Sequence, residues 1–100
     1  RSLILRAGEL LREEFSDYGL FRIGGDELLA LCAGIGEEEL KQRIERMKAG
    51  MKKKDVVMAV GTVWQESWER GFDLLLMEAE RRMYQEKAAY YKNAGIDRRH

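Results

Sequence analysis

The sequence holds no proline, one cysteine and one histidine, and its 18 basic residues are balanced by 18 acidic ones. No block of like charge and no low-complexity tract marks a disordered tail. A single cysteine cannot close an internal disulfide, so a secreted scaffold held by staples is excluded. No apolar run approaches the roughly 18–20 residues that span a bilayer. The longest, Leu28 to Ala33 and Val56 to Val60, are of strand length. A net charge of zero argues against non-specific nucleic-acid binding, which needs a surplus of lysine and arginine. What is present, at 100 residues and 45% apolar, fits a single soluble cytoplasmic domain over residues 1–100 that mixes helices and strands. The chain opens on Arg1 without a signal-peptide pattern, and is expected to be an excised or processed piece of a longer protein.

Periodicity orders the chain. Leu3, Ile4, Ala7, Leu10, Leu11 and Phe15 recur at helical spacing, with Arg6, Glu9, Arg12 and Glu13 opposite, and Ser16 to Gly19 closes that helix. Leu20 to Ile23 and Leu28 to Cys32 are short β-favouring runs around Gly24-Gly25-Asp26. They read as a hairpin whose glycines supply the positive φ of a tight turn. Glu37, Glu38 and Glu39 open a second helix at the positive end of its dipole, and Lys52 to Lys54 sit at its other end. Leu40, Ile44, Met47 and Met51 are its buried stripe. Val56 to Trp64 is the strongest strand candidate, apolar enough to be buried on both faces. After a polar loop around Glu66 to Gly71, a long helix with Phe72, Leu75, Leu76, Ala79 and Met83 on its core face runs to about Tyr91. The expected order is α-β-β-α-β-α, with no repeat and no linker.

The chemistry is concentrated in Arg22-Ile23-Gly24-Gly25-Asp26-Glu27-Leu28. Two adjacent carboxylates stand at a hairpin tip without side-chain bulk, where a nucleotide can approach the backbone closely. Such carboxylates can hold Mg²⁺, which prefers hard oxygen ligands shared with phosphates. A bare hairpin turn would use the same letters. The wider context resembles the GGDEF domain of the diguanylate cyclases. Leu28 stands where that signature ends in Phe, Arg22 lies two places before the glycine pair, and an apolar strand follows the acidic pair. The last helix carries Ala79-Glu80-Arg81-Arg82-Met83-Tyr84-Gln85-Glu86-Lys87, similar to the family's Ala-Asp-x-Ala-Leu-Tyr-x-Ala-Lys. Ala79, Tyr84 and Lys87 match, whereas Glu86 departs. Val60-Gly61 resembles the family's Ser-x-Gly-x-Ala strand.

The resemblance implies an α+β, ferredoxin-like nucleotidyl-cyclase palm with a mainly antiparallel sheet, here truncated at its N-terminus. It implies condensation of two GTP molecules into cyclic di-GMP, with loss of two pyrophosphates, across a homodimer and with Mg²⁺ or Mn²⁺. By position, Gly24 and Gly25 would line the nucleotide, Asp26 and Glu27 would be the metal-binding and catalytic acids, and Lys87 would meet the triphosphate. The family's upstream metal-binding Asp and base-reading Asn and Asp have no counterpart here. Tyr91 stands where a second phosphate-binding Arg is expected. Phe15 and Tyr18 occupy the inhibitory Arg-x-x-Asp positions, so product inhibition by that route is not expected.

The missing first strand is central in such folds. Orphaned polar groups on buried edges cost about 1–3 kcal/mol each, a large share of a stability of about 5–15 kcal/mol. The 100 residues alone are therefore expected to lack cyclase activity, and to be poorly stable or completed by strand exchange with another chain. The alternative reading is a degenerate module that binds nucleotide or a protein without turnover. Plainer roles suit the remaining residues. Cys32 is a small core residue, Lys52 to Lys54 are solvated, and Trp64 and Trp68 pack beside a loop. Tyr90 and Tyr91 cover a core edge, and His100 is solvated. No nucleic-acid or membrane partner is expected within this chain.

Overall fold

A computed structural model describes residues 3–67 and 71–94. The chain is α+β and falls into two compact units, Arg1–Val57 and Met58–His100. Trp68, His100 and the side chains of Tyr90 and Tyr91, given roles above, lie outside the described residues.

In the first unit, helix α1 (Leu3–Phe15) precedes a hairpin of β1 (Gly19–Arg22) and β2 (Leu28–Leu31), then α2 (Glu37–Lys53). The strands are antiparallel, with Gly19 opposite Leu31 and Arg22 opposite Leu28. Beyond β1 the Ile23 amide donates to Glu27 O at 3.0 Å. The apolar stripes of α1 and α2 face one another: Ala7, Leu10 and Phe15 are buried with Leu40, Met47 and Met51, joined by Ile35 and Val56. Ile44, expected in that stripe, is only half-buried. Gly34, at φ +83, turns the chain from β2 towards α2 in a conformation that L side chains rarely adopt. No side chain caps α2, whose Gly36 carbonyl takes the Leu40 amide at 3.0 Å. Glu37, Glu38 and Glu39 instead complement its dipole.

Where α2 ends, the Lys54 amide reaches Gly50 O at 2.9 Å and the Val56 amide reaches Met51 O at 2.8 Å. Asp55 between them takes a left-handed φ of 58°. Its carbonyl accepts Arg6 Nη2 at 2.8 Å, tying α1 to this corner. Arg6 therefore reaches across the unit instead of simply facing solvent. Lys52 to Lys54 are exposed, as expected of a solvated helix end, and Lys54 also pairs with Glu13 at 3.1 Å.

The second unit holds helix α3 (Phe72–Ala94) and the run that leads to it. Leu75, Leu76, Ala79 and Met83, its expected core face, are half-buried, whereas Phe72 is exposed. The third strand expected over Val56–Trp64 does not form, so the observed order is helix, strand, strand, helix, helix. From residue 56 to residue 65 the backbone shows no turn, bend or positive φ, and it has no ladder partner among the described residues. Nor is the run buried on both faces: Val56 is buried, Val57 is 48% exposed, and 58–65 are half-buried. A strand is made by its neighbour as much as by its own sequence.

In the second unit that run lies along α3 through side chains. Glu86 Oε1 accepts the Val60 amide at 2.7 Å, and Arg82 Nη1 donates to Thr62 O at 2.7 Å. Val60 pairs with Glu86 and the later Thr62 with the earlier Arg82, so the run is antiparallel to α3. Gly61 sits between them, so close to the helix that a Cβ there would lie 2.0 Å from Ala79 O.

Arg82 is held in turn by Glu78, whose Oε2 accepts its Nε at 2.7 Å while Arg81 bonds the same carboxylate. Hydrogen bonds from Arg81 first and Arg82 second hold the Glu78 carboxyl at about 2. A carboxylate with a depressed folded-state pKa stabilises the fold above its ordinary value and loses that effect as pH falls through the folded one. Glu78 should therefore titrate near 2 by NMR, well below its ordinary 4.5. Arg81→Gln should move its midpoint up towards that value; an unmoved midpoint would remove the ascribed cause.

Candidate hairpin-tip site

The tip is set by the antiparallel pairing on either side of it. β1 and β2 hold Arg22 opposite Leu28, and the bond between Ile23 and Glu27 closes the loop on Gly24, Gly25 and Asp26. The glycine pair was expected to supply positive φ to the turn. Among the described residues only Gly34, Gly71 and Asp55 have positive φ, so neither Gly24 nor Gly25 does. A Cβ on Gly24 would come within 3.3 Å of the Glu27 side chain, and one on Gly25 would meet nothing within 4 Å. The backbone of the loop would accept side chains at Gly25, yet it is left bare.

Arg22 folds back over the tip. Its Nε donates to Gly25 O at 3.1 Å and to Gly24 O at 3.4 Å, and its Nη2 also donates to Gly25 O. One guanidinium thus holds both glycine carbonyls of the tip. A planar fork of donors makes this grip better than an ammonium group could. In the sequence Arg22 was only a matching letter; its grip on the loop emerges from the fold.

Gly24, Gly25, Asp26 and Glu27 therefore share one loop, with Asp26 exposed and Glu27 half-buried. Lys87 is exposed on α3, in the second unit, and is described there by itself. Below the hairpin, α1 and β1 border a shallow cleft of about 340 Å³. Ile4, Leu11, Leu20 and Leu28 give it apolar walls, while Glu9, Arg12 and Arg22 supply charge. Ile4 and Leu11 belong to the apolar face read for α1. Only their half-buried state at the edge of α1 reveals the cleft.

Among the described residues no group of three or more His, Cys, Asp or Glu side chains is placed to hold a metal ion. Asp26 and Glu27 supply two neighbouring carboxylates. That donor set fits a Mg²⁺ ion that takes its remaining ligands from water and substrate phosphates, not an all-protein cage. No helix among the described residues is long and apolar enough to cross a membrane. Comparison with protein-family profiles, with curated proteins and with solved structures finds no match to this chain.

Proposed function

We propose that the Gly24–Glu27 tip is a nucleotide-binding turn of the GGDEF type, and that the chain is the later part of a nucleotidyl-cyclase palm. In the whole cytoplasmic domain it would serve the condensation of two GTP molecules into cyclic di-GMP, with one GTP on each subunit of a homodimer. The observation that carries this reading is the bare glycine pair. Neither glycine has positive φ, and open space lies over Gly25, so backbone strain does not call for the pair and packing does not call for Gly25. A backbone without side chains beside two carboxylates suits a phosphate-bearing ligand. In this reading Gly24 and Gly25 lie against the nucleotide, and Arg22 keeps their carbonyls turned inward. Asp26 and Glu27 hold Mg²⁺ or Mn²⁺ together with the phosphates, and Lys87 meets the triphosphate. The bound ion supplies charge neutralisation at the phosphates. The apolar walls of the cleft suit a base, and Arg12 suits an anionic group.

The second reading, a module that binds nucleotide without turnover, is favoured by the acid count. Two carboxylates stand at the tip, and no third His, Cys, Asp or Glu joins them among the described residues. The parent protein, given Mg²⁺ and GTP, should form cyclic di-GMP detectable by chromatography. Asp26→Ala should lower that rate at least a hundredfold, since a metal contributes several kcal/mol to such a transition state. GTP binding without product, lost in Asp26→Ala, would establish the second reading instead. Neither binding nor product would defeat both.

A further inference from the structure

Two adjacent glycines at a hairpin tip have more backbone freedom to lose than any other pair of residues. Nothing packs over Gly25, where a Cβ would meet no atom within 4 Å. A ligand that needs one arrangement of such a loop binds more weakly the less often the loop adopts it. The hairpin supplies a restraint of its own. Arg22 is the last residue of β1, and the ladder fixes its backbone opposite Leu28. From that anchored position its Nε donates to Gly25 O at 3.1 Å and to Gly24 O at 3.4 Å, and its Nη2 also donates to Gly25 O.

We propose that Arg22 is the positioning residue of the tip: by holding both glycine carbonyls it keeps the loop in the arrangement that receives an anionic ligand. This rests on the reading of Gly24–Glu27 as a nucleotide-binding turn, and it identifies what sets that turn's affinity. Three observations separate the grip from an ordinary surface contact. The first is the choice of acceptor. An arginine with a carboxylate in the same loop commonly forms a charged, bidentate pair with it. Arg22 takes two neutral carbonyls instead, and Asp26 makes no hydrogen bond or ion pair among the described residues. The exposed acid is thereby left for a metal ion or a ligand. The second is which atoms are held. A carbonyl oxygen is the negative end of its peptide dipole, and two of them free to turn towards a phosphate would repel it. The third is the capacity that remains. The grip uses Nε and Nη2, whereas Nη1 makes no hydrogen bond among the described residues. Arg22 also borders the cleft below the hairpin together with Arg12, so an anionic group there can meet the same guanidinium. A lysine ammonium, a point charge without the planar fork, could not reproduce the hold on both carbonyls.

The test uses the parent protein with Mg²⁺ and an unreactive GTP analogue, in which methylene replaces the oxygen between the α- and β-phosphorus. Arg22→Ala should weaken binding measured by calorimetry by at least about tenfold, and Arg22→Lys should remain at least about threefold weaker than the unaltered protein. Without ligand, the ¹⁵N order parameters of Gly24 and Gly25 should be about 0.85, as in rigid backbone, and should fall below about 0.6 in Arg22→Ala. The thermal midpoint should not move, because Arg22 is exposed; a merely structural contact would lower the midpoint and leave affinity intact. Should Arg22→Ala fail to fold, Arg22→Lys supports the same comparisons. Binding within about twofold of the unaltered protein in Arg22→Ala overturns the proposal and leaves the nucleotide reading standing. A glycine pair equally ordered in both proteins does the same. Full recovery by Arg22→Lys also overturns it, since charge alone would then suffice. An unaltered protein that binds no analogue removes the nucleotide reading and this proposal together.

Discussion

Gly61→Ala should dismantle the packing of the second unit. The added methyl would stand 2.0 Å from Ala79 O, 2.5 Å from Met83 N and 2.9 Å from Met83 Cβ. Two of these obstacles are backbone of α3, so no rotamer change relieves them. The run must lift off the helix, and lifting it breaks the bonds from the Val60 amide to Glu86 and from Arg82 to the Thr62 carbonyl. The cost should reach the upper end of overpacking, about 3 kcal/mol. Trp64, half-buried in the same run, makes its fluorescence a local reporter of urea unfolding. Two other glycines serve as controls. Gly25→Ala meets nothing within 4 Å, and neither does Gly8→Ala inside α1. The first should leave stability unchanged, and the second should raise it by about 0.5–1 kcal/mol, because alanine suits a helix interior better. A Gly61→Ala chain that melts like the unaltered one would refute the close packing.

Arg43→Ala should have the largest effect of any charge removal in the first unit. Arg43, whose side chain is 15% exposed, closes the end of α1 from α2. Its Nη1 donates to the Glu14 carbonyl, one of the acceptors that a helix end leaves unmet. The same nitrogen and Nη2 hold both oxygens of Asp17, at 3.0 and 3.3 Å. Nε and Nη2 both reach Glu39 Oε2, at 3.2 and 2.9 Å. The guanidinium also lies over the rings of Tyr18 and Phe15, 5.1 and 5.8 Å from their centroids. Asp17 and Glu39 are exposed and contribute little by charge alone. The carbonyl and the stacked rings carry most of the effect.

The thermal midpoint of Arg43→Ala should fall by about 10 °C. Arg43→Lys should recover less than half of that, since an ammonium lacks the planar fork. The hydrogen bond from Arg43 lowers the Asp17 carboxyl below its ordinary 3.8. The stabilisation from that pair is therefore complete above the ordinary value and fades as pH falls below it. Calorimetry across that range should show the fading in the unaltered chain and not in Arg43→Ala. Equal midpoints for the two chains would sink the assignment.

Arg43 also shows where sequence reading runs out. Glu39, one turn away, is a partner visible to anyone counting by fours, but Asp17 lies 26 residues upstream and only the packing of α1 on α2 brings it close. Elements whose stabilisation is local were legible. The stripe of α1 and its stop at Ser16 to Gly19, both hairpin strands to within a residue or so, and the acid-to-base polarity of α2 all follow from short-range pattern. The third strand was not, because β structure depends on a partner. Val56 to Trp64 has the composition of a strand, but its neighbour is not among the described residues.

Glu86 is instructive in the opposite direction. Against the cyclase pattern it was a departure, yet in the fold its carboxylate holds the Val60 amide. At the candidate site, the letters Gly-Gly-Asp-Glu were plain from the outset. The absence of positive φ at either glycine was not, and it weakens the purely structural explanation for them.

Cys32, at the end of β2, carries a different kind of consequence. It is half-buried, its carbonyl takes the Ile35 amide at 3.3 Å, and burial pushes its thiol up to about 11. Near neutral pH only about one thiol in ten thousand is then the reactive thiolate. It is also the single cysteine of the chain. Alkylation of the native protein should therefore be slow, and should quicken when this end of the hairpin opens further to solvent. The rate of that reaction is a clock for β2, and it runs without any label having to be built into the chain.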